Sequence, residues 1–231
     1  MIRMIEAVIF DMDGVIINSE NFWVEAEFET YNKHGINITR EMCESMKGVK
    51  TADAVNAWFE KFRWKNPPLE QLTEEIIQKV SKIILERGKA MPGLTGLLEY
   101  LKTNNFKIGL ATSSVTSVIN VVMNKLRIQE YFDAIHSAEF EKKGKPYPDV
   151  YLGAAKKLGI KPIKCIAVED SFYGLQAAKS AGMYAIALPE ISEFDDPKYG
   201  IADFKIKSLK ELIDFDFNLE IVGKEKIYNN S

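Results

Sequence analysis

Short apolar runs recur along the chain (EAVIFD, KIGLAT, AIHSA, CIAVED and YAIALP), each followed by a stretch with helical periodicity. Their hydrophobicity is continuous rather than alternating, which predicts strands buried on both faces and so a parallel sheet covered by helices. Helices are predicted over 96–105, 117–126, 149–159 and 173–182, with Gly159 and Gly182 at helix C-caps. Repeated β-α-β units imply right-handed crossovers and a Rossmann-like, doubly wound α/β fold.

One segment breaks the alternation. From about Ser19 to Lys89 no strand-like run occurs, only helical patterns such as ENFWVEAEFETYNKHG, TADAVNAWFEKF and LEQLTEEIIQKVSKIILERG. Roughly seventy helical residues are too many for a crossover, so they read as an α-helical bundle inserted after the first strand. The expected division is a core of residues 1–17 and 90–220, a helical cap of 18–89 and a tail of 221–231. The segment after Asp216 holds one apolar patch, which predicts a short edge strand. Phe22, Phe28, Tyr31, Trp58, Phe59, Phe62 and Trp64 fall at helical spacing and read mainly as bundle core.

Composition narrows the chemistry. The chain has 231 residues, 46% hydrophobic and 27% charged, which suits a packed globular protein. A net charge of −3, from 30 basic and 33 acidic residues, gives no footprint for nucleic acid or an anionic membrane surface. No apolar run is long enough to span a bilayer, and acids interrupt the N-terminal stretch where a secretion signal would need an apolar run. Cys43 and Cys165 lie far apart and read as packing thiols, consistent with a reducing, cytoplasmic setting. With only His34 and His136 as histidines, a His-based zinc site or a Ser-His-Asp triad has little material. A metal, if present, needs oxygen ligands.

Such ligands fall where ligands bind in parallel α/β sheets, at the C-terminal strand edge. Asp11 and Asp13 follow AVIF; Thr112, Ser113 and Ser114 follow IGLA; Glu169 and Asp170 follow IAV; Lys145 lies in KKGKPYPD after AIHSA. Residues two apart in an extended segment share a face, so Asp11 and Asp13 point together. With Asp170 they suit a hard cation such as Mg²⁺. Thr112 and Ser114 offer hydroxyls, the backbone N–H groups of Ser113 and Ser114 are expected to open a helix as an anion site, and Lys145 supplies a compact positive charge. Metal, anion donors and a carboxylate nucleophile together describe phosphoryl transfer through an aspartyl phosphate. Taken singly, each motif has a plainer reading as a strand-ending turn, a helix cap or a proline-stiffened loop. Their coincidence at one sheet edge favours the chemistry.

DMDGVIINSE, ATSS, GKPYPD and VEDSFYG, in this order, resemble the motifs of the haloacid dehalogenase-like hydrolases, from about Ile5 to Leu212. The likeness is to the β-phosphoglucomutase and sugar-phosphatase branch with a helical-bundle cap, and most to 2-deoxyglucose-6-phosphate and hexitol phosphatases. The resemblance implies that Asp11 is the nucleophile and that Asp13 is the general acid–base. It implies Mg²⁺ held by Asp11, the Asp13 carbonyl and Asp170, with Glu169 acting through metal-bound water. Thr112 and Lys145 would hold the phosphoryl group, and Gly14 would let the chain turn. In the cap, Trp23 is expected to face the site, and Lys50 stands in a loop where relatives carry a basic substrate contact.

Mutases of this branch carry a proton-handling histidine where this chain has Trp23, ten residues after Asp13. The dehalogenases lack the second acid, present here as Asp13. The resemblance therefore implies a Mg²⁺-dependent, monomeric phosphatase acting on a small sugar or polyol monophosphate. A β-phosphoglucomutase-type mutase and a non-catalytic phosphometabolite-binding regulator are the alternatives. Asn18 departs from the Asp-Ser pair usual in relatives, which puts the local contacts of the linker in doubt.

Overall fold

The computed structural model describes residues 5–217, so the expected tail strand lies largely outside the described residues. The apolar runs form β1 (Ala7–Phe10), β2 (Lys107–Thr112), β3 (Ala134–Ser137), β4 (Cys165–Glu169) and β5 (Tyr184–Ala187). A sixth strand, β6 (Phe204–Lys205), is too short to leave a pattern in the sequence. All pairings are parallel, in the order β3-β2-β1-β4-β5-β6. The chain winds outward from β1 through β2 to β3, then returns to β4 on the other side. The C-terminal ends of β1 and β4 therefore border the crevice at which α/β sheets bind ligands.

The segment between β1 and β2 forms α1 (Glu20–Lys33), α2 (Arg40–Glu44), α3 (Thr51–Phe62) and α4 (Leu69–Arg87) before α5 (Leu94–Thr103) returns to the sheet. α4 packs against α1 and α3, burying Val55, Leu72, Ile76 and Val80. Of the aromatic residues expected inside, Tyr31 and Trp58 are buried, whereas Phe22, Phe28, Phe62 and Trp64 are half-buried against the apolar interior. Trp64 meets Tyr31 and Phe59 edge to face, with ring centres 6.2 and 5.2 Å apart.

The two chain passages joining this bundle to the sheet run side by side. The Asn18 N–H donates to the Lys89 carbonyl at 3.1 Å, and the Met91 N–H donates to that of Ile16 at 2.9 Å. The Asn18 side-chain oxygen accepts from the Lys89 N–H at 2.7 Å, so an amide here serves the linker without a charge.

α6 (Thr116–Leu126), α7 (Asp149–Leu158) and α8 (Phe172–Ser180) complete the layers. Along β1, Val8 and Phe10 face a cluster that includes Leu97, Leu101 and Val122 of α5 and α6. Ala7 and Ile9 face Val150, Ala154 and Ala178 of α7 and α8. The many alanines on that second face (Ala154, Ala155, Ala167, Ala177, Ala178, Ala185) let helix and sheet approach closely. Gly159 and Gly182 adopt φ of 70° and 79° just past α7 and α8, as their expected C-cap role requires. Among the described residues, no helix is long and apolar enough to cross a membrane.

Ile76 is fully buried in the bundle. Ile76→Ala is expected to destabilise the protein by about 2–5 kcal/mol, the usual range for emptying such a site. A urea-unfolding midpoint within error of the parent would show that the bundle relaxes around the cavity.

Candidate active site

The site begins where β1 stops. The Asp11 N–H still pairs with the Val168 carbonyl at 3.0 Å, after which the Met12 carbonyl accepts the N–H groups of Ile16 and Ile17 at 2.8 and 3.2 Å. This tight turn carries Gly14 at φ +73°, and a Cβ there would come 1.9 Å from the Asp170 carboxylate. Glycine is demanded twice, by the left-handed backbone and by the close approach.

Lys145 is fully buried, its Nζ 2.9 Å from Asp11 Oδ1 and 2.5 Å from Glu169 Oε1. Burial works against its charge, but Asp11 and Glu169 outweigh burial and raise its pKa, so it stays an ammonium. The Tyr151 hydroxyl, from α7, donates to the same Glu169 oxygen at 2.5 Å, and the Ser171 hydroxyl donates to Oε2 at 3.1 Å. Glu169 thus holds Lys145 directly through Oε1.

Asp11, Glu169 and Asp170, all buried, present oxygens within 4.8 Å of one another. Burial first, then the charge of Glu169, pushes Asp11 well above the usual carboxylate range despite Lys145. Burial likewise raises Asp170 to about 6, with Lys47 pulling it down and Glu169 pushing it up. Asp11 Oδ1 and Asp170 Oδ2 meet ammonium groups rather than neutral donors, Lys145 at 2.9 Å and Lys47 at 2.8 Å, and Asp170 Oδ1 has no partner among the described residues. An all-oxygen donor set in negative excess fits a hard divalent cation.

Asp13 is anchored differently. Its Oδ1 accepts from Ser19 Oγ at 2.5 Å and from the Trp23 indole N–H at 2.8 Å, and its Oδ2 accepts from Ser114 Oγ at 2.7 Å. Trp23 therefore reaches the site from α1. Thr112 is buried at the end of β2. The neighbouring serines depart from expectation. α6 starts at Thr116, after Val115 as its cap residue, so Ser113 and Ser114 precede the helix rather than open it. The Ser114 N–H turns back onto Thr112 Oγ1 at 3.1 Å, because the chain must leave the strand sharply before winding. Ser113 Oγ donates to the Gly48 carbonyl at 2.7 Å and ties this loop to the bundle.

Asp11, Asp13, Trp23, Lys47, Thr112 and Ser114, among others, line a cavity of about 350 Å³ between sheet and bundle; Lys145, Glu169 and Asp170 are not among its lining residues. Lys50 does not line it. Its Nζ lies 3.6 Å from Asp53 and 3.4 Å from the Glu141 carbonyl, and its aliphatic stem covers Gly144. The lysine that enters is Lys47, which also lies 4.0 Å from Glu20. Burial and the charge of Asp170 raise the Glu20 carboxyl, with Lys47 opposing. Sequence reasoning left out Lys47, Glu20, Ser19 and Tyr151. The MKGVK loop offered two lysines, and only the turn at Gly48 decides which points inward; Tyr151 had no local signal, since its role depends on α7 crossing beside β4.

Residues 8–188 match the family model described as haloacid dehalogenase-like hydrolase. The chain is 34% identical to hexitol phosphatase B of Escherichia coli (strain K12) over 91% of its length and 95% of that protein. It is 32% identical to a phosphorylated carbohydrates phosphatase of Thermotoga maritima over 78% of its length and 83% of that protein. The crystal structure of a β-phosphoglucomutase from Clostridium difficile superposes with a TM-score of 0.80 at 31% identity, covering 90% of this chain and 93% of that one. A strand-end carboxylate cluster, a buried lysine and a helical bundle over the sheet edge thus agree with sequence likeness along most of the chain, which belongs to the haloacid dehalogenase-like hydrolase family, in its β-phosphoglucomutase and sugar-phosphatase branch.

Proposed function

We propose that the protein is a Mg²⁺-dependent phosphatase that hydrolyses small sugar or polyol monophosphates through an aspartyl phosphate on Asp11. The observation that carries this reading is the Trp23 indole N–H on Asp13. Indole is a donor only and cannot relay a proton, so no cap group at this position shuttles protons as a mutase requires. Water is left as the second acceptor of the phosphoryl group. The hexitol and carbohydrate phosphatase relatives support the same substrate class.

In this reading an Asp11 oxygen attacks phosphorus and the bond to the sugar oxygen breaks, with Asp13 delivering a proton to that oxygen. Asp13 then takes a proton from water, which attacks the phosphorus of the aspartyl phosphate, releases inorganic phosphate and restores Asp11. Lys145, pinned by Glu169 and Tyr151, holds phosphoryl oxygens beside Asp11, and Thr112 orients them. Ser19, Trp23 and Ser114 aim the Asp13 carboxylate. Mg²⁺, held by Asp11, Asp170 and the Asp13 carbonyl, would neutralise charge on the transferring group. One chain supplies both walls of the cavity, so a monomer suffices.

A panel of hexose, deoxyhexose, pentose, hexitol and glycerol monophosphates is expected to release phosphate with Mg²⁺ and not with a chelator. Isomerisation of β-glucose 1-phosphate without phosphate release would instead identify a mutase, and binding without turnover a regulator. Asp11→Asn is expected to lower kcat by at least about 10³-fold while thermal unfolding stays cooperative; retained turnover would rule out the covalent route. Trp23→Phe removes the N–H that aims Asp13 and is expected to lower kcat about tenfold with little change in KM. Steady-state kinetics on the best panel substrate would read this split, and an unchanged kcat would relieve Trp23 of that role.

A further inference from the structure

The bundle side of the cavity carries an acid that the proposed chemistry does not use. Glu27 stands one turn beyond Trp23 on α1, so both project from the same face of the helix, and both line the cavity. Glu27 is only 8% exposed. Among the described residues it has no ion pair; its polar neighbour is the Cys43 thiol. One turn further, the buried Tyr31 hydroxyl has no hydrogen-bond partner. Burial pushes the Glu27 carboxyl up to about 8, against the pull of the Cys43 thiol, so at neutral pH it is mainly protonated and offers both a donor and an acceptor.

A group that donates and accepts is matched by a hydroxyl, which does the same. An anionic end would need a cation beside Glu27, and the lysines of the neighbouring loop point elsewhere, Lys47 to Asp170 and Lys50 to Asp53. Four helical residues rise about 6 Å, so Glu27 stands one turn along α1 from the Trp23 that touches Asp13, on the side of the cavity that would receive the substrate's end remote from the phosphate. We infer that Glu27 is a specificity-determining residue that hydrogen-bonds a hydroxyl at the end of the substrate remote from the phosphate, and so selects polyhydroxylated monophosphates over short ones. This rests on the phosphatase reading above. The plainer role for Glu27 is a bundle-interior partner of Cys43, and the two roles separate experimentally.

Steady-state kinetics would compare glucitol 6-phosphate, its 1-deoxy and 2-deoxy analogues, and acetyl phosphate, which has no polyol tail. The parent enzyme is expected to lose roughly 10- to 100-fold in kcat/KM on one of the deoxy analogues. Glu27→Met is expected to lose a similar factor on glucitol 6-phosphate, chiefly through KM, to stop distinguishing that analogue, and to keep acetyl phosphate turnover within about twofold. Glu27→Gln, which retains a donor and an acceptor, is expected to keep most of the discrimination. Equal losses on glucitol 6-phosphate and acetyl phosphate in either variant, or no discrimination by the parent, would overturn the inference and leave the phosphatase standing. If Glu27→Met does not fold, the parent's response to the deoxy analogues together with Glu27→Gln still decides. Parent enzyme that hydrolyses acetyl phosphate but no sugar or polyol phosphate would overturn the substrate class itself.

Discussion

Lys145 held between Asp11 and Glu169 is the contact around which the rest of the site is arranged. Each of these charges is buried, and each alone would be severely disfavoured there. Together they offset one another in part, and removing one would leave the others uncompensated. Tyr151 and Ser171 fill the remaining Glu169 lone pairs, while Gly174 leaves the space that carboxylate occupies, since a Cβ there would fall 2.0 Å from it. Even so, the cluster stays in negative excess, and the raised Asp11, Asp170 and Glu20 carboxyls register that excess. A site of this kind lowers stability locally; the continuous apolar sheet and its two helix layers hold it in place.

The bundle is coupled to this cluster through a few polar contacts. Trp23 touches Asp13, Lys47 touches Asp170, and Gly48 receives the Ser113 hydroxyl. All three converge at the cavity, where the bundle supplies groups that the sheet edge lacks. Away from the cavity the bundle also packs on the core, α4 against α6, where Lys125 donates to the Leu85 carbonyl. The paired passages at Asn18 and Lys89 form the joint between the two layers.

Much of this was legible in the chain. Continuous apolar runs announced buried parallel strands, their acidic ends announced the site, and the gap between the first two runs announced the inserted helices. Asp11, Asp13, Thr112, Lys145, Glu169 and Asp170 all meet at one sheet edge because strand ends are placed by topology, which periodicity reports. The bundle's contribution was less legible. Trp23 was readable because it lies close in sequence to Asp13, on the first helix after the turn. Lys50 pairs with Asp53 while Lys47 of the same loop lines the cavity, and Glu20, which sequence reasoning left out, lies beside Lys47 at the acidic cluster.

The sequence by itself determined the five longer strands, their parallel character and the chemistry carried at their ends, because burial pattern and residue type are local properties. Only the tertiary structure decided that Glu169 serves Lys145, that Ser113 and Ser114 bind the Gly48 carbonyl and Asp13, and that Lys47 and Glu27 face the cavity. Those assignments depend on how a helical bundle rotates over a sheet edge, and rotation is set by packing between residues far apart in the chain. The opening stretch of two acids and a glycine is understood only at that level: Gly14 is required where it is because Asp170, more than a hundred and fifty residues later, occupies the space of its missing side chain.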